Sequence, residues 1–283
     1  MYDIGWFLSY FQYLSYVNNH AFLSIFVLMM AQSVEGQKES CVYEDYIYLT
    51  DRAYIEYQEG DLKASIKHWK EAFQTGLFPR GKHVALALRC AVKVEDGEWA
   101  KTLAFRLAKG GIPAVYFDRY KERDWYADFA TVVDDTISTG AKNYNFSLRK
   151  ALLDVRYLDS LINVTYHQWR KCENDLSLEE MIQMAANVYD GFTHLIRQYG
   201  FPSEKKMGYY FQDGEVQDFP LLVMMIHLYQ FGNPILKDQL HHMVCDGVIT
   251  KTEMSVLIDM RGYGNNVGLE EEMRIRWGKR RCR

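Results

Sequence analysis

The stretch that decides the fold runs from Tyr57 to Phe73, YQEGDLKASIKHWKEAF. Gly60 and Asp61 stop one helix and start another, because glycine accepts a left-handed turn and an aspartate oxygen caps the first free backbone N–H groups. Beyond them Ile66, Trp69 and Phe73 recur at three- and four-residue spacing, with small Ser65 and Ala72 beside them. This is one apolar helix face carrying a shallow groove, which lets a second helix lie close. That second helix stands just upstream. Tyr43–Tyr57 places bulky residues at helical spacing around a small Ala53, with Tyr54 and Tyr57 flanking it.

The pattern then repeats in weaker form. His83–Val94 predicts a third helix, Gly97 a turn, and Trp99–Lys109 a fourth helix stopped by Gly110 and Gly111. Gly60 and Gly97 are 37 residues apart, close to the period of a tetratricopeptide repeat. The second unit is degenerate, with Thr102 at a small position and Arg106 where an aromatic belongs. Further along, the aromatics of 116–129 predict another helix docking on its neighbours, and GAKNYNF at 140–146 reads as a loop. Ser147 is expected to cap a helix over 148–166. Ser177–Glu180 and Thr250–Glu253 are capping boxes, and Asp218 with Pro220, Gly232, Asn233-Pro234 and Gly247 punctuate short helices over 218–261. The fold class expected is all-α: an α-α superhelix of two tetratricopeptide-like helix pairs (42–115), a helical C-terminal region (116–262) and a charged tail (263–283).

Composition agrees with a folded helical chain. Of 283 residues 48% are hydrophobic and only five are proline, while 21 Tyr, 15 Phe and 6 Trp give an aromatic excess. A net charge of −4 argues against wholesale binding to nucleic acid. The first 36 residues read as an export leader, with a membrane helix and an N-terminal core helix as the alternatives: AFLSIFVLMMA at 21–31 is an apolar run of 11 residues followed by small and polar ones. A positive flank is missing, since no Lys or Arg precedes Lys38. The cysteines Cys41, Cys90, Cys172, Cys245 and Cys282 are odd in number and lack CxxC spacing, so structural thiols are expected rather than a disulfide framework or zinc site, with one accidental pair as the alternative in an exported chain.

Several segments together resemble exported tetratricopeptide-like proteins of Bacteroidetes: Tyr57–Phe73, Phe105–Gly111, Ile196–Ser203, Leu221–Phe231 with His227, and Asp246–Arg261. Members of that group are largely uncharacterised, so the resemblance implies a helical-repeat fold and an address outside the cytoplasm. Related sequences often carry His-Ala-Asp where this chain reads His227-Leu228-Tyr229, which weakens a catalytic role for the position.

Candidate chemistry is sparse. His227 lies on the apolar helix PLLVMMIHLYQF and needs a polar partner. A hydrolase-like site would use it as base, Asp259 to orient it and Arg261 to hold an anion; a core histidine bonded to a carbonyl is the plainer reading. Asp238, His241 and Cys245 have helical spacing for a transition metal, but no second cluster completes the set. Asp154 and Asp159 read as a solvated, salt-linked surface shared with Arg149 and Arg156. Six positive charges in the last ten residues read as a solubilising terminus that folds back on acidic helices.

The function expected is a protein-binding or scaffold module of the bacterial cell envelope, periplasmic or secreted, with a cytoplasmic address as the alternative. Its partner is a protein or peptide held by Arg52, Tyr54 and Tyr57, with peripheral contact to the envelope. No cofactor, metal or nucleic acid is called for. Enzymatic activity and a purely structural packing role are the competing classes.

Overall fold

A computed structural model describes residues 41–261 and 267–278, excepting the side chain of Arg261. The leader expected over 1–36 lies outside the described residues. Helices α1 (Tyr43–Glu59) and α2 (Leu62–Ala72) form the first hairpin. Gly60, at φ 87°, makes the left-handed turn, and Asp61 accepts the Ala64 N–H at 3.1 Å. Small residues bring the helices together as the sequence implies. Ala53 and Ser65 are both fully buried, and the Ser65 hydroxyl donates to the Ala53 carbonyl at 2.7 Å.

The second hairpin pairs α3 (Gly81–Lys93) with α4 (Gly97–Lys109). Cys90 lies reduced in the core between the hairpins, 3.5 Å from the Ser65 hydroxyl. A 3-10 turn (Ala114–Tyr120) and α5 (Tyr126–Gly140) replace the single helix expected over 116–129. They carry an edge-to-face aromatic cluster in which Phe129 lies 4.8 Å from Phe117 and 5.0 Å from Phe105.

The C-terminal region is built on α6 (Phe146–Arg170) and α7 (Leu178–Tyr199), which pack side by side. Asn145, not Ser147, caps α6 by accepting the Leu148 N–H at 2.8 Å, so the helix starts two residues earlier than expected. Both predicted capping boxes form, at Ser177–Glu180 and at Thr250–Glu253. After a short α8 (Glu204–Met207) the chain makes an antiparallel pair, β1 (Tyr210–Gln212) and β2 (Glu215–Gln217). Asp213 and Gly214 turn it with φ of 52° and 80°, as two-residue hairpins require. The hairpin was not expected from sequence, because strands of three residues show no alternation.

Helix α9 (Leu222–Gln230) is buried on every side from Met224 to Tyr229 and forms the centre of this half. A 3-10 turn (Lys237–Gln239), α10 (Leu240–Cys245) and α11 (Lys251–Arg261) follow. Asp218 does not open α9, since it is drawn away to Arg80 and Lys82. The expected tail contains a packed element, α12 (Leu269–Trp277). Arg274 grips Glu179 of α7 through two hydrogen bonds, and Trp277 is buried against Tyr166 and Phe231.

Residues 208–218 tie the two halves together. Tyr209 is 1% exposed and sits in a notch between the start of α3 and the end of α4. Its N–H donates to the Gly110 carbonyl at 2.7 Å, and the Arg149 guanidinium of α6 donates to the Tyr209 carbonyl at 2.8 Å. The notch exists because Gly81 and Gly110 lack side chains: a Cβ would lie 2.7 Å and 2.2 Å from the ring, respectively. Beyond Tyr209, Phe211 packs edge-on to Tyr116, and Glu215 pairs with Arg89 and Arg119. From Val42 onward the chain forms one compact unit.

Gly110→Ala is expected to destabilise the protein by at least about 1–3 kcal/mol, because the notch is overpacked. Gly191→Ala, where a Cβ meets nothing within 4 Å, serves as the control. Equal urea midpoints for the two variants would contradict this role for the notch.

Candidate functional site

The tie between the halves encloses an open cleft of about 1070 Å³. Loops 76–80 and 142–145, the segment 199–206 from the end of α7 into α8, the start of α9 and the α10–α11 turn form its walls. Phe78, Tyr144, Phe201 and Phe219 give it apolar surface, and Lys142, Lys205, Asp218 and Asp246 give it charges of both signs.

Arg80 anchors one wall. The residue is 9% exposed, and its guanidinium lies 3.9 Å from Asp218 and 3.5 Å from Glu253. Its backbone N–H donates to the Tyr46 hydroxyl at 3.0 Å, and that hydroxyl lies 2.8 Å from His83 Nδ1. The chain of bonds fixes the tautomer. Tyr46 accepts from Arg80 and therefore donates to Nδ1, which leaves the imidazole neutral with its proton on Nε2. Burial, aided by the charges of Lys82 and Arg80, pushes His83 down to about 3.

Glu204 faces the same junction. Its Oε2 accepts the Gly81 N–H at 2.8 Å, capping α3 from 123 residues away, while Oε1 is buried without a partner. Burial pushes this carboxyl up to about 8; the Gly81 N–H, Arg80 and Lys82 oppose the shift, and Asp218 adds to it.

A second polar cluster lies away from the cleft. Asp159, fully buried, links α6 to α7 and α9: Tyr189 donates to its Oδ1 at 3.0 Å, His227 Nδ1 lies 2.9 Å from the same oxygen, and Arg156 donates to Oδ2 at 3.0 Å. Burial, with the negative charge of Asp159, raises the Tyr189 phenol well above its usual range, which keeps it a donor. This corrects the reading of Asp159 as a solvated surface acid. In a hydrolytic relay the carboxylate holds one imidazole nitrogen and the nucleophile meets the other. Here Asp159 and Tyr189 both meet Nδ1, so the cluster is built as a core network.

The other sequence candidates disperse. Asp259 is exposed on α11, and the buried carboxylate at His227 is Asp159. Asp238 lies on a separate 3-10 turn from His241 and Cys245, and Cys245 is disulfide-bonded, so it has no thiolate to offer a metal. Among the described residues no group of His, Cys, Asp and Glu is arranged to hold a metal ion. Cys41 and Cys172 are also disulfide-bonded, against the expectation of structural thiols; among the described cysteines Cys90 alone is a free thiol, and Cys282 lies outside the described residues. Sequence spacing carries no information on which distant Cα atoms come within bridging distance.

On α1, Arg52 pairs with Glu56, whose second oxygen lies 2.6 Å from His68. Tyr57 lies beneath the Lys93 ammonium at 4.3 Å, and Tyr54 stands 47% exposed. At about 100° per residue Arg52 and Tyr54 diverge by roughly 200°, so the three do not share one groove. No family model, curated protein or solved structure matches the chain.

Two measurements test this description. Asp159→Ala, which leaves Arg156 uncompensated, is expected to cost about 3–5 kcal/mol, whereas Asp259→Ala stays within about 0.5 kcal/mol; comparable losses in denaturant titrations would refute the assignment. The second is a pH profile. Glu204 retains its proton in the fold up to about 8 but loses it near 4.5 when unfolded, so it makes stability fall as pH rises through that window. His83 acts in reverse, adding stability between about 3 and 6.5 and nothing more above that. The two slopes oppose below pH 6.5, which leaves the Glu204 loss alone above it. Stability should decline by up to about 1.4 kcal/mol per pH unit between 6.5 and 8, and Glu204→Gln should flatten that decline. An unchanged slope in the variant would show that another group titrates.

Proposed function

We propose that the protein is a helical-repeat binding module that holds a protein or peptide segment in the junction cleft and works in the cell envelope of a bacterium, periplasmic or secreted. The observation that carries the reading is the cleft itself, with its aromatic floor, charges of both signs and a volume in the range of ligand sites. Its walls come from both halves of the chain, so the tie at Tyr209 preorganises it and lowers the entropy cost of binding. The two helix pairs, with their 37-residue register, support the tetratricopeptide-like description. Disulfide-bonded Cys41, Cys172 and Cys245 support an oxidising compartment, where such bonds persist. No helix among the described residues is long and apolar enough to cross a membrane, and contact with the envelope is proposed as peripheral.

Selection from a displayed peptide library against the folded protein tests the reading. Enriched peptides should lose about tenfold or more in affinity with Tyr199→Ala or Lys205→Glu, both exposed at the cleft. They should be indifferent to Tyr54→Ala. Failure to enrich any sequence, or loss with Tyr54→Ala alone, would count against the cleft as the binding site.

A further inference from the structure

A smaller chamber of about 490 Å³ adjoins the cleft and shares Phe78 and Tyr144 with it. Phe78, Pro79 and Phe105 give it apolar walls, and Arg106 and Lys109, three residues apart on α4, bring positive charge. No carboxylate among the described residues lines it. Arg106 lies over the face of Phe73 at 5.7 Å, and neither it nor Lys109 has an ion-pair partner among the described residues.

The Tyr209 hydroxyl completes the chamber. The residue is 1% exposed, yet this hydroxyl is buried without a hydrogen-bond partner. A buried hydroxyl without an acceptor is unfavourable, and Tyr209 is one of the residues that line the chamber. Burial raises both the Tyr209 and the Tyr144 phenols, and Arg106 is near enough to both to oppose the shift; Glu204 adds to it, and at Tyr209 so do Tyr144 and Tyr46. Arg106, Tyr144 and Tyr209 all line the same chamber.

We propose that this chamber binds a small organic acid, a carboxylate on an aromatic or branched apolar body. The body packs on Phe78, Pro79 and Phe105. The carboxylate meets the planar donor fork of Arg106, which suits two parallel N–H···O bonds. Lys109 adds charge, and Tyr209 gains the acceptor it lacks. The inference does not depend on the peptide cleft, because none of these groups except the shared walls belongs to it.

The test titrates the full chain with 3-phenylpropionate and, as an uncharged isostere, 3-phenylpropanamide, followed by NMR shifts. Saturable binding of the acid is expected, at least about tenfold tighter than the amide. Arg106→Gln should remove about tenfold or more. Tyr209→Phe keeps the ring in the notch and should weaken binding several-fold with the melting temperature unchanged or raised. Tyr199→Ala should leave acid binding intact, which separates failure of this site from failure of the cleft. Absent or equal binding of acid and amide, or an unaffected Arg106→Gln, overturns the proposal. So does binding of an N-acetylated tripeptide ending in Phe without binding of the free acid, since a peptide terminus presents the same chemistry.

Discussion

One aromatic ring in one backbone notch sets the relation between the two halves of this protein. The Tyr209 ring enters between Gly81 and Gly110, while its N–H and carbonyl are taken by Gly110 and Arg149. Helix pairs of this kind stabilise themselves mainly through neighbours in sequence. The C-terminal helices have no such neighbour relation to the pairs, so their attachment rests on the Tyr209 contact together with the Gly81–Glu204 hydrogen bond and the ion pairs of Arg80 with Glu253 and of Glu44 with Lys251. Phe211, Glu215 and Asp218 then fasten the rest of the segment to Tyr116, Arg89, Arg119 and Arg80 in turn.

The same contact makes the cavities. Because Tyr209 holds the halves at a fixed separation, the loops on either side line a cleft rather than closing on each other. The polar groups caught at the junction are held away from water, and their proton equilibria record it: Glu204 keeps its proton and His83 stays without one. The buried Asp159 network does comparable work deeper in the C-terminal half, fixing α6, α7 and α9 against one another. Directional bonds of that kind define a single arrangement where apolar packing alone tolerates several.

What was legible in the sequence was local. Gly60, Asp61 and the Ile66–Trp69–Phe73 stripe specify a hairpin because every interaction involved spans a few residues. The capping boxes at Ser177 and Thr250 were readable for the same reason. Gly110 was read as a helix stop, which it is, but its second role as half of a receptor for Tyr209 depends on a residue 99 positions away. His227 signalled that a polar partner was needed. The partner, Asp159, is 68 residues upstream on another helix, and no local pattern favours it over Asp259, 32 residues downstream. Asp213-Gly214 is a turn signal, but the strands beside it are too short to alternate and so carry no strand pattern. The disulfides were not accessible from spacing at all.

The central claim is that the Tyr209 contact couples the two halves into one cooperative unit. Native-state hydrogen exchange at increasing denaturant measures this directly. The Tyr209 amide, donated to Gly110, should exchange only with global unfolding, at the same free energy as the most protected amides of α3, α4 and α7. If the Tyr209 amide instead opens at markedly lower free energy while both halves stay protected, the halves are independent and the account fails.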